Sequence, residues 1–157
     1  MKKLTIATIL LLPFLAFGQI NLESTYNYSG SYTNLRSSGD KFFIMDVASS
    51  QCRIYNMDHS LFKTINCTVP SGYFLADIKF VSENLFNADS KIELAYTYYK
   101  YVSTSTSYYY IYGAKVITEA GTVLQPIDDA QYLYVNKTGD TEYKLLDRKS
   151  TRLNSSH

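Results

Sequence analysis

The chain has 157 residues, of which 15 are Lys or Arg and 14 are Asp or Glu, so its formal net charge is +1. A balance this even provides no basic surface for nucleic acid or for an anionic membrane. Two histidines and two cysteines leave few residues for a metal centre or an activated nucleophile.

The N-terminus has the pattern of a secretory signal peptide. A lysine pair is followed by an apolar stretch over residues 4–15, and small residues then suit cleavage before Gln19. The apolar stretch is too short for a good membrane span, although a retained anchor is the alternative. No cysteine follows the cleavage point directly, so a lipid anchor is not expected. We expect residues 1–18 to be removed and the mature protein to be secreted or held at the cell surface, without a transmembrane segment.

The last eleven residues, 147–157, resemble the in-frame translation of a common sequencing adaptor. We interpret them as an artefact that replaces the natural sequence after Leu146, and we expect them to be unpacked. Without this tail and the signal peptide, residues 19–146 contain ten basic and thirteen acidic residues, a formal charge of −3. This remainder also lacks a basic footprint for nucleic acid.

Residues 19–40 are rich in Ser, Thr, Asn, Gly and Tyr, which predicts a loose lead-in with at most one poor strand. Beyond them the apolar period becomes two. Ile92, Leu94 and Tyr96 alternate with other side chains, as in a half-buried strand. Similar short runs cover 41–47, 53–57, 61–65, 75–82, 108–117, 122–127 and 131–137. The pattern predicts an all-β domain of antiparallel hairpins over residues 41–146.

Internal similarity gives the clearest sign of organisation. Residues 53–65 align without gaps with residues 115–127, at an offset of 62, and a shorter match joins 76–81 to 130–135. An Asp that opens a strand recurs at positions 40, 89 and 140. Repeats of roughly 50–60 residues favour stacked four-stranded units of the kind that form propeller blades. A β-sandwich built of hairpins is the alternative.

Three segments carry a resemblance to a known group of proteins. These are the short signal ending in Phe-Gly-Gln, the hairpin at residues 54–65, and residues 81–93. Together they resemble exported Bacteroidota repeat proteins that carry a C-terminal type IX secretion sorting domain. The resemblance implies export and surface attachment. No segment of this sequence corresponds to the sorting domain itself.

Cys52 and Cys67 bracket the first aligned hairpin, and an exported protein can form disulfides. Closing the hairpin would bring the two cysteines near each other on adjacent strands. A loop of about 15 residues closed by a disulfide would stabilise the fold by roughly 3 kcal/mol. We therefore predict a disulfide between them, with two free or buried thiols as the alternative.

Candidate catalytic and metal-binding groups are few. His59 is the only histidine before the tail, and it falls in a predicted exposed turn, so a triad could only be built around it. Asp128 and Asp129 fall at a predicted turn. The oxygen-bearing residues between positions 87 and 93 have calcium-like spacing, but Lys91 and the missing glycine favour an ordinary turn. We predict no enzyme activity, no cofactor and no metal site in this sequence; a pair of carboxylates suited to glycoside hydrolysis remains the open alternative.

Tyrosine is the strongest compositional anomaly, because eight of the sixteen tyrosines lie between positions 96 and 112. Some of them should share one face of neighbouring strands and leave a strip for stacking on sugar rings or on another protein. The predicted stacking residues are Tyr98, Tyr108, Tyr110 and Tyr112. Lys100 or Glu93 would orient the ligand.

Two functions are compatible with these observations. The first is a non-catalytic β-repeat scaffold or interaction region of a secreted or cell-surface bacterial protein. The second is a carbohydrate-binding module of a larger secreted enzyme, using the tyrosine strip.

Overall fold

The computed structural model describes residues 22–138 and 143–149, which form ten β-strands and no helix. The strands are β1 Gly30–Leu35, β2 Gly39–Asp46, β3 Gln51–Asn56, β4 Leu61–Asn66, β5 Phe74–Glu83, β6 Ile92–Ser103, β7 Tyr108–Thr118, β8 Val123–Asp128, β9 Ala130–Lys137 and β10 Tyr143–Lys149. Every paired strand is antiparallel, so the predicted all-β antiparallel class is confirmed. In the described part of the chain, no helix is long and apolar enough to cross a bilayer. The predicted signal peptide lies outside the described residues.

The strands form two four-stranded sheets and one hairpin. The first sheet has the order β1-β2-β3-β4, the second has the order β5-β6-β7-β8, and β9 pairs with β10. Within each sheet and within the hairpin, the strands pair in sequence order, because turns and loops join consecutive runs of alternating apolar residues. Ile92, Leu94, Tyr96 and Tyr98 of β6 share one buried face, as the alternation predicted. The opposite face is also buried at Glu93, Ala95 and Thr97, so this part of the strand is not half-buried.

The core lies between the two sheets. Leu35, Ile54 and Ile65 of the first sheet pack with Leu94 and other buried residues of the second. On its opposite face, the second sheet packs against the β9–β10 hairpin through a smaller cluster. That cluster contains Ala95, Ala114 and Val116 from the sheet, with Ala130, Leu133 and Leu145 from the hairpin. The chain therefore forms three layers.

The layered packing fits the β-sandwich alternative. β1 lies against β5, so the first strands of the two sheets are neighbours, whereas β9 lies against β7 and β6. In a propeller, the first strands of successive blades would all line one central channel. The described residues form no closed propeller or barrel.

The two aligned segments have the same local geometry, position for position. The amides of Asn56 and Thr118 each donate to the carbonyl four positions later, and their carbonyls each accept from the amide three positions later. The third residue of each turn is left-handed. That residue is His59 in the first hairpin, at φ 68°, and Gly121 in the second, at φ 84°. A β-bulge falls at the same offset in both, after Ile54 and after Val116. The hairpins are β3–β4 and β7–β8, the last two strands of each sheet.

Two predicted boundaries differ from the structure. The lead-in contains β1, and β2 begins at Gly39, so ordered structure starts before residue 41. At the other end, β10 runs to Lys149, and Asp147 and Arg148 pair with β9. Residues 147–149 are thus strand-paired, although their side chains are exposed. Strand pairing uses backbone groups that any sequence supplies, so β10 can extend past Leu146 whatever the origin of these residues. Residues 150–157 lie outside the described chain.

Candidate functional site

The β6–β7 hairpin extends beyond both of its neighbours. β6 and β7 pair along their whole lengths, down to Ser103 opposite Tyr108. On one side, the pairing with β5 ends at Phe74 opposite Tyr99, and on the other side the pairing with β8 ends at Asp128 opposite Gly113. Residues 100–111, here called the tyrosine arm, therefore form a two-stranded projection from the second sheet.

The turn at the tip of the arm sets the register of its strands. The Thr104 amide donates to the Ser107 carbonyl at 2.8 Å, and the Ser107 amide donates to the Thr104 hydroxyl oxygen at 3.0 Å. This turn places odd-numbered residues of β6 opposite even-numbered residues of β7. Residues directly opposite each other share a face of the sheet. Tyr99 and Tyr101 consequently share a face with the even-numbered tyrosines of β7.

The shared face carries a continuous set of aromatic rings, here called the tyrosine strip. It consists of Phe74, Tyr99, Tyr101, Tyr108, Tyr110 and Tyr112. Neighbouring rings have centroids 5.4–6.3 Å apart and planes inclined by 34–64°. Tyr108 is 70% exposed, Tyr101 49% and Tyr110 43%. The strip is therefore a packed but solvent-facing aromatic surface.

The structure brings together three of the four predicted stacking residues. Tyr108, Tyr110 and Tyr112 lie on the strip, but Tyr98 points to the opposite face, into the core between the sheets. The register explains the difference, because Tyr98 lies opposite Gly113 and not opposite a tyrosine. Burial raises the pKa of Tyr98.

The two residues expected to orient a ligand are placed elsewhere. Lys100 lies on the other face of the arm, with its ammonium 6.0 Å from the centre of the Tyr73 ring. Glu93 is fully buried, and its Oε2 accepts hydrogen bonds from the amides of Leu85 and Phe86 at 2.9 and 2.8 Å. Glu93 holds the β5–β6 loop and does not reach the strip.

Sequence reasoning missed Tyr99, Tyr101 and Phe74. A signal for the two tyrosines was present, because a four-residue connection between Ser103 and Tyr108 forces odd positions opposite even ones. Phe74 could not be found in this way. It joins the strip only because β5 pairs with β6 and ends opposite Tyr99.

The strip is electrically neutral. None of its six side chains is charged. The nearest charged residue of β5 on this face is Asp77, which lies opposite Thr97 and forms an ion pair with Lys79. Because this pair neutralises itself, the strip offers aromatic rings and phenolic hydroxyls and no charge for a ligand.

The two cysteines lie close together but are not directly opposite. Cys52 faces Ile65 across the β3–β4 ladder, while the Cys67 amide donates to the Ser50 carbonyl at 2.8 Å. They are thus diagonal neighbours, and both are buried free thiols in this structure. Burial raises the pKa of both, that of Cys67 to about 12. The disulfide stays a prediction.

The remaining candidate groups do not converge on a catalytic or metal site. Nδ1 of His59 lies 2.8 Å from the Tyr26 hydroxyl and its Nε2 lies 3.3 Å from Glu23, in an exposed turn. Asp129 has a left-handed backbone, φ 59°, and forms the turn between β8 and β9. In the calcium-like segment, side-chain oxygens of Asn87 and Asp89 accept amide hydrogen bonds within their own turn. No group of three or more metal-ligating side chains occurs among the described residues.

A wide cleft of about 1120 Å³ lies between the β1–β2 turn and the β5–β6 loop. Its lining includes Arg36, Glu83, Phe86 and Tyr143. Glu83 already accepts hydrogen bonds from the Ser37 amide and the Ser38 hydroxyl. Burial alone would raise the pKa of Glu83, but these two donors lower it overall. This carboxylate therefore stabilises the turn of the first sheet.

Comparison with known proteins identifies no relative: no protein-family model, no curated protein and no solved structure matches this chain.

Proposed function

We propose that this chain is a non-catalytic β-sheet scaffold and interaction region of a secreted or cell-surface bacterial protein, with the tyrosine arm as its contact surface. The observation that carries the proposal is the projection of the arm beyond both neighbouring strands. An exposed set of aromatic rings on a projecting hairpin is typical of a binding surface, because the burial of Tyr contributes both apolar area and a polar hydroxyl.

We further propose that the two four-stranded sheets are copies of one repeated unit. The proposal is supported by the hairpins β3–β4 and β7–β8, which share their turn, their bulge and their left-handed position at an offset of 62. Additional copies would stack as blades of a propeller-like assembly or extend the present sandwich. A structure of a longer version of the protein would separate the two arrangements.

Export is proposed from the N-terminal sequence and from the resemblance to Bacteroidota proteins that use type IX secretion. Expression of the chain in a Bacteroidota host, followed by fractionation and N-terminal sequencing, tests the proposal. A mature protein that begins at Gln19 in the medium or on the cell surface would support it. Full-length protein in the inner-membrane fraction would instead demonstrate a retained anchor.

The contact role of the arm can be tested with a photo-crosslinking amino acid in place of Tyr108, introduced into the full chain. Illumination of surface fractions should yield crosslinked adducts. The matched control carries the same group in place of Tyr109, the neighbouring tyrosine on the other face of β7. Equal yields from both positions, or no adducts at all, would contradict the proposal.

A carbohydrate-binding module of a larger secreted enzyme is the second candidate function. The neutral, hydroxyl-rich character of the tyrosine strip favours it. A glycan array probed with the full chain distinguishes it from a scaffold that contacts only proteins.

A further inference from the structure

We infer that the ligand of the tyrosine strip is an uncharged linear polysaccharide, which lies along the arm and stacks on its rings. This inference rests on the proposed role of the arm as a contact surface. It is carried by the size of the strip, by its lack of charge and by the packing of its rings.

The strip has fewer residues than one side of a stable protein interface. It contains six side chains, whereas a standard protein interface uses about 20–30 residues on each side. Along β7 it runs from Tyr112 to Tyr108, a length of about 14 Å. A few sugar units of a linear chain cover a strip of this length.

Charge selects among polysaccharides. The six side chains of the strip carry no charge, and the neighbouring Asp77 is paired with Lys79. Lys100, the nearest cation on the arm, lies on the other face. An acidic polysaccharide would lose water from its carboxylates or sulfates without gaining a cationic partner, which is unfavourable. A neutral polysaccharide has no charged groups to dehydrate, so its binding avoids this cost.

The rings are oriented before any ligand arrives. Each ring of the strip lies within 6.3 Å of at least one other, centroid to centroid, although Tyr108, Tyr101 and Tyr110 remain substantially exposed. Little side-chain freedom is then lost on binding. The exposed rings of Tyr108, Tyr101 and Tyr110 can stack on the apolar face of a pyranose, and their phenol hydroxyls can bond the sugar hydroxyls at its rim.

The shape of the arm favours a long chain over a short oligosaccharide. β5 and β8 end before the tip, so neither strand blocks a polymer that continues past Tyr108. A pocket that binds the end of a polysaccharide would need protein walls around the strip. No neighbouring strand among the described residues supplies such walls at the tip of the arm, which is open on this face.

The test is a binding assay of the full chain with insoluble neutral polysaccharides, namely cellulose, chitin and starch granules, and with the acidic polymers alginate and heparin. We expect at least one neutral polymer to retain the protein and both acidic polymers to leave it unbound. Replacing both Tyr108 and Tyr110 with Ala should weaken the retention about tenfold or more. The matched control is Tyr109→Ala, on the same strand but on the opposite face, which should bind like the unmodified chain.

Four outcomes would overturn the inference. They are binding only to acidic polymers, an equal loss with Tyr109→Ala, no binding to any of the neutral polymers, and self-association that disappears in the Tyr108→Ala, Tyr110→Ala variant. Near-ultraviolet circular dichroism and thermal melting confirm that each variant is folded. If no neutral polymer binds but the photo-crosslinker at Tyr108 captures a protein, the polysaccharide inference fails and the contact role survives. If neither occurs, both fail.

Discussion

The ring of Tyr98 lies directly over Gly113, its partner across the β6–β7 ladder. A Cβ atom at position 113 would lie 2.7 Å from three atoms of the Tyr98 side chain, namely two ring carbons and the hydroxyl oxygen. Tyr98 is 7% exposed and also contacts the ring of Tyr73 edge-on, with centroids 5.5 Å apart. Because position 113 has no Cβ atom, the buried ring of Tyr98 can lie across the neighbouring strand β7 at the base of the arm.

We expect Gly113→Ala to lower the free energy of unfolding by about 1–3 kcal/mol, because the added methyl group overpacks the site. Urea denaturation measures the change. Tyr98→Leu, combined with Gly113→Ala, tests the cause, since the smaller side chain makes room for the methyl group. The double variant should show a favourable coupling relative to the two single variants. Additive effects would show that the contact between the ring and residue 113 is not responsible.

Gly121 should be sensitive to substitution for a different reason. Its backbone is left-handed, φ 84°, and no atom lies within 4 Å of a Cβ built there. Gly121→Ala should cost about 1–2 kcal/mol of stability through backbone strain alone, and Gly121→Asn should cost less, because Asn tolerates this conformation. Ala120→Ser, in the same turn, is the control. An Ala variant as stable as the Asn variant would contradict the assigned turn geometry.

Stability should fall in acid because of carboxylates that hold the layers together. The Glu119 Oε2 accepts hydrogen bonds from Lys63 Nζ at 2.8 Å and from the Ile92 amide at 3.1 Å, which joins the first sheet to the second. Burial alone would raise the pKa of Glu119, but these donors lower it below its usual 4.5. A carboxyl whose pKa is lower in the folded state stabilises the fold above its unfolded pKa, and this contribution is lost as pH falls.

We therefore expect the free energy of unfolding to decrease as pH falls below about 4.5, the usual pKa of a glutamate. Glu119→Gln should reduce this dependence, whereas Glu23→Gln, at a largely exposed carboxylate, should change it little. Urea denaturation between pH 7 and pH 3 provides the measurement. The same slope in all three proteins would show that Glu119 does not contribute.

The thiols of Cys52 and Cys67 should be protected in the native protein. The reactive form of a cysteine is the thiolate, and burial raises the pKa of both thiols far above neutrality. A maleimide at pH 8 should label the denatured chain much faster than the native chain, as followed by intact mass.

The same mass analysis bears on the predicted disulfide. Diagonal neighbours in a sheet lie about 7–8 Å apart, whereas disulfides generally join Cα atoms about 4.4–6.8 Å apart. Two labelled cysteines after non-reducing denaturation would agree with the register of β3 and β4 and would contradict the disulfide predicted from the sequence. A mass lower by two hydrogens, with no labelling, would confirm that disulfide and would require a shift of this register.

The sequence alone determined those features that depend on local chemistry. Alternation at Ile92, Leu94 and Tyr96 predicted that these side chains share one buried face, because side chains on a strand alternate whatever lies beside them. The predicted half-burial was wrong for this part of β6, because the opposite face is also buried, with Ala95 packed against the β9–β10 hairpin. The offset of 62 residues found two hairpins with the same turn, since a turn is specified by a few consecutive residues.

Tertiary structure alone decided which tyrosines form the strip. A shift of one residue in register moves a side chain to the opposite face, so the difference between Tyr98 and its neighbour Tyr99 depended on how β6 pairs with β7. Phe74 joined the strip, and the cysteines became diagonal neighbours, through pairings between strands that the period of a single strand does not specify. Which face of the second sheet is covered was likewise decided by non-local burial. The first sheet covers the face of Tyr98, and the β9–β10 hairpin covers only part of the other, which leaves the tyrosine strip exposed to solvent.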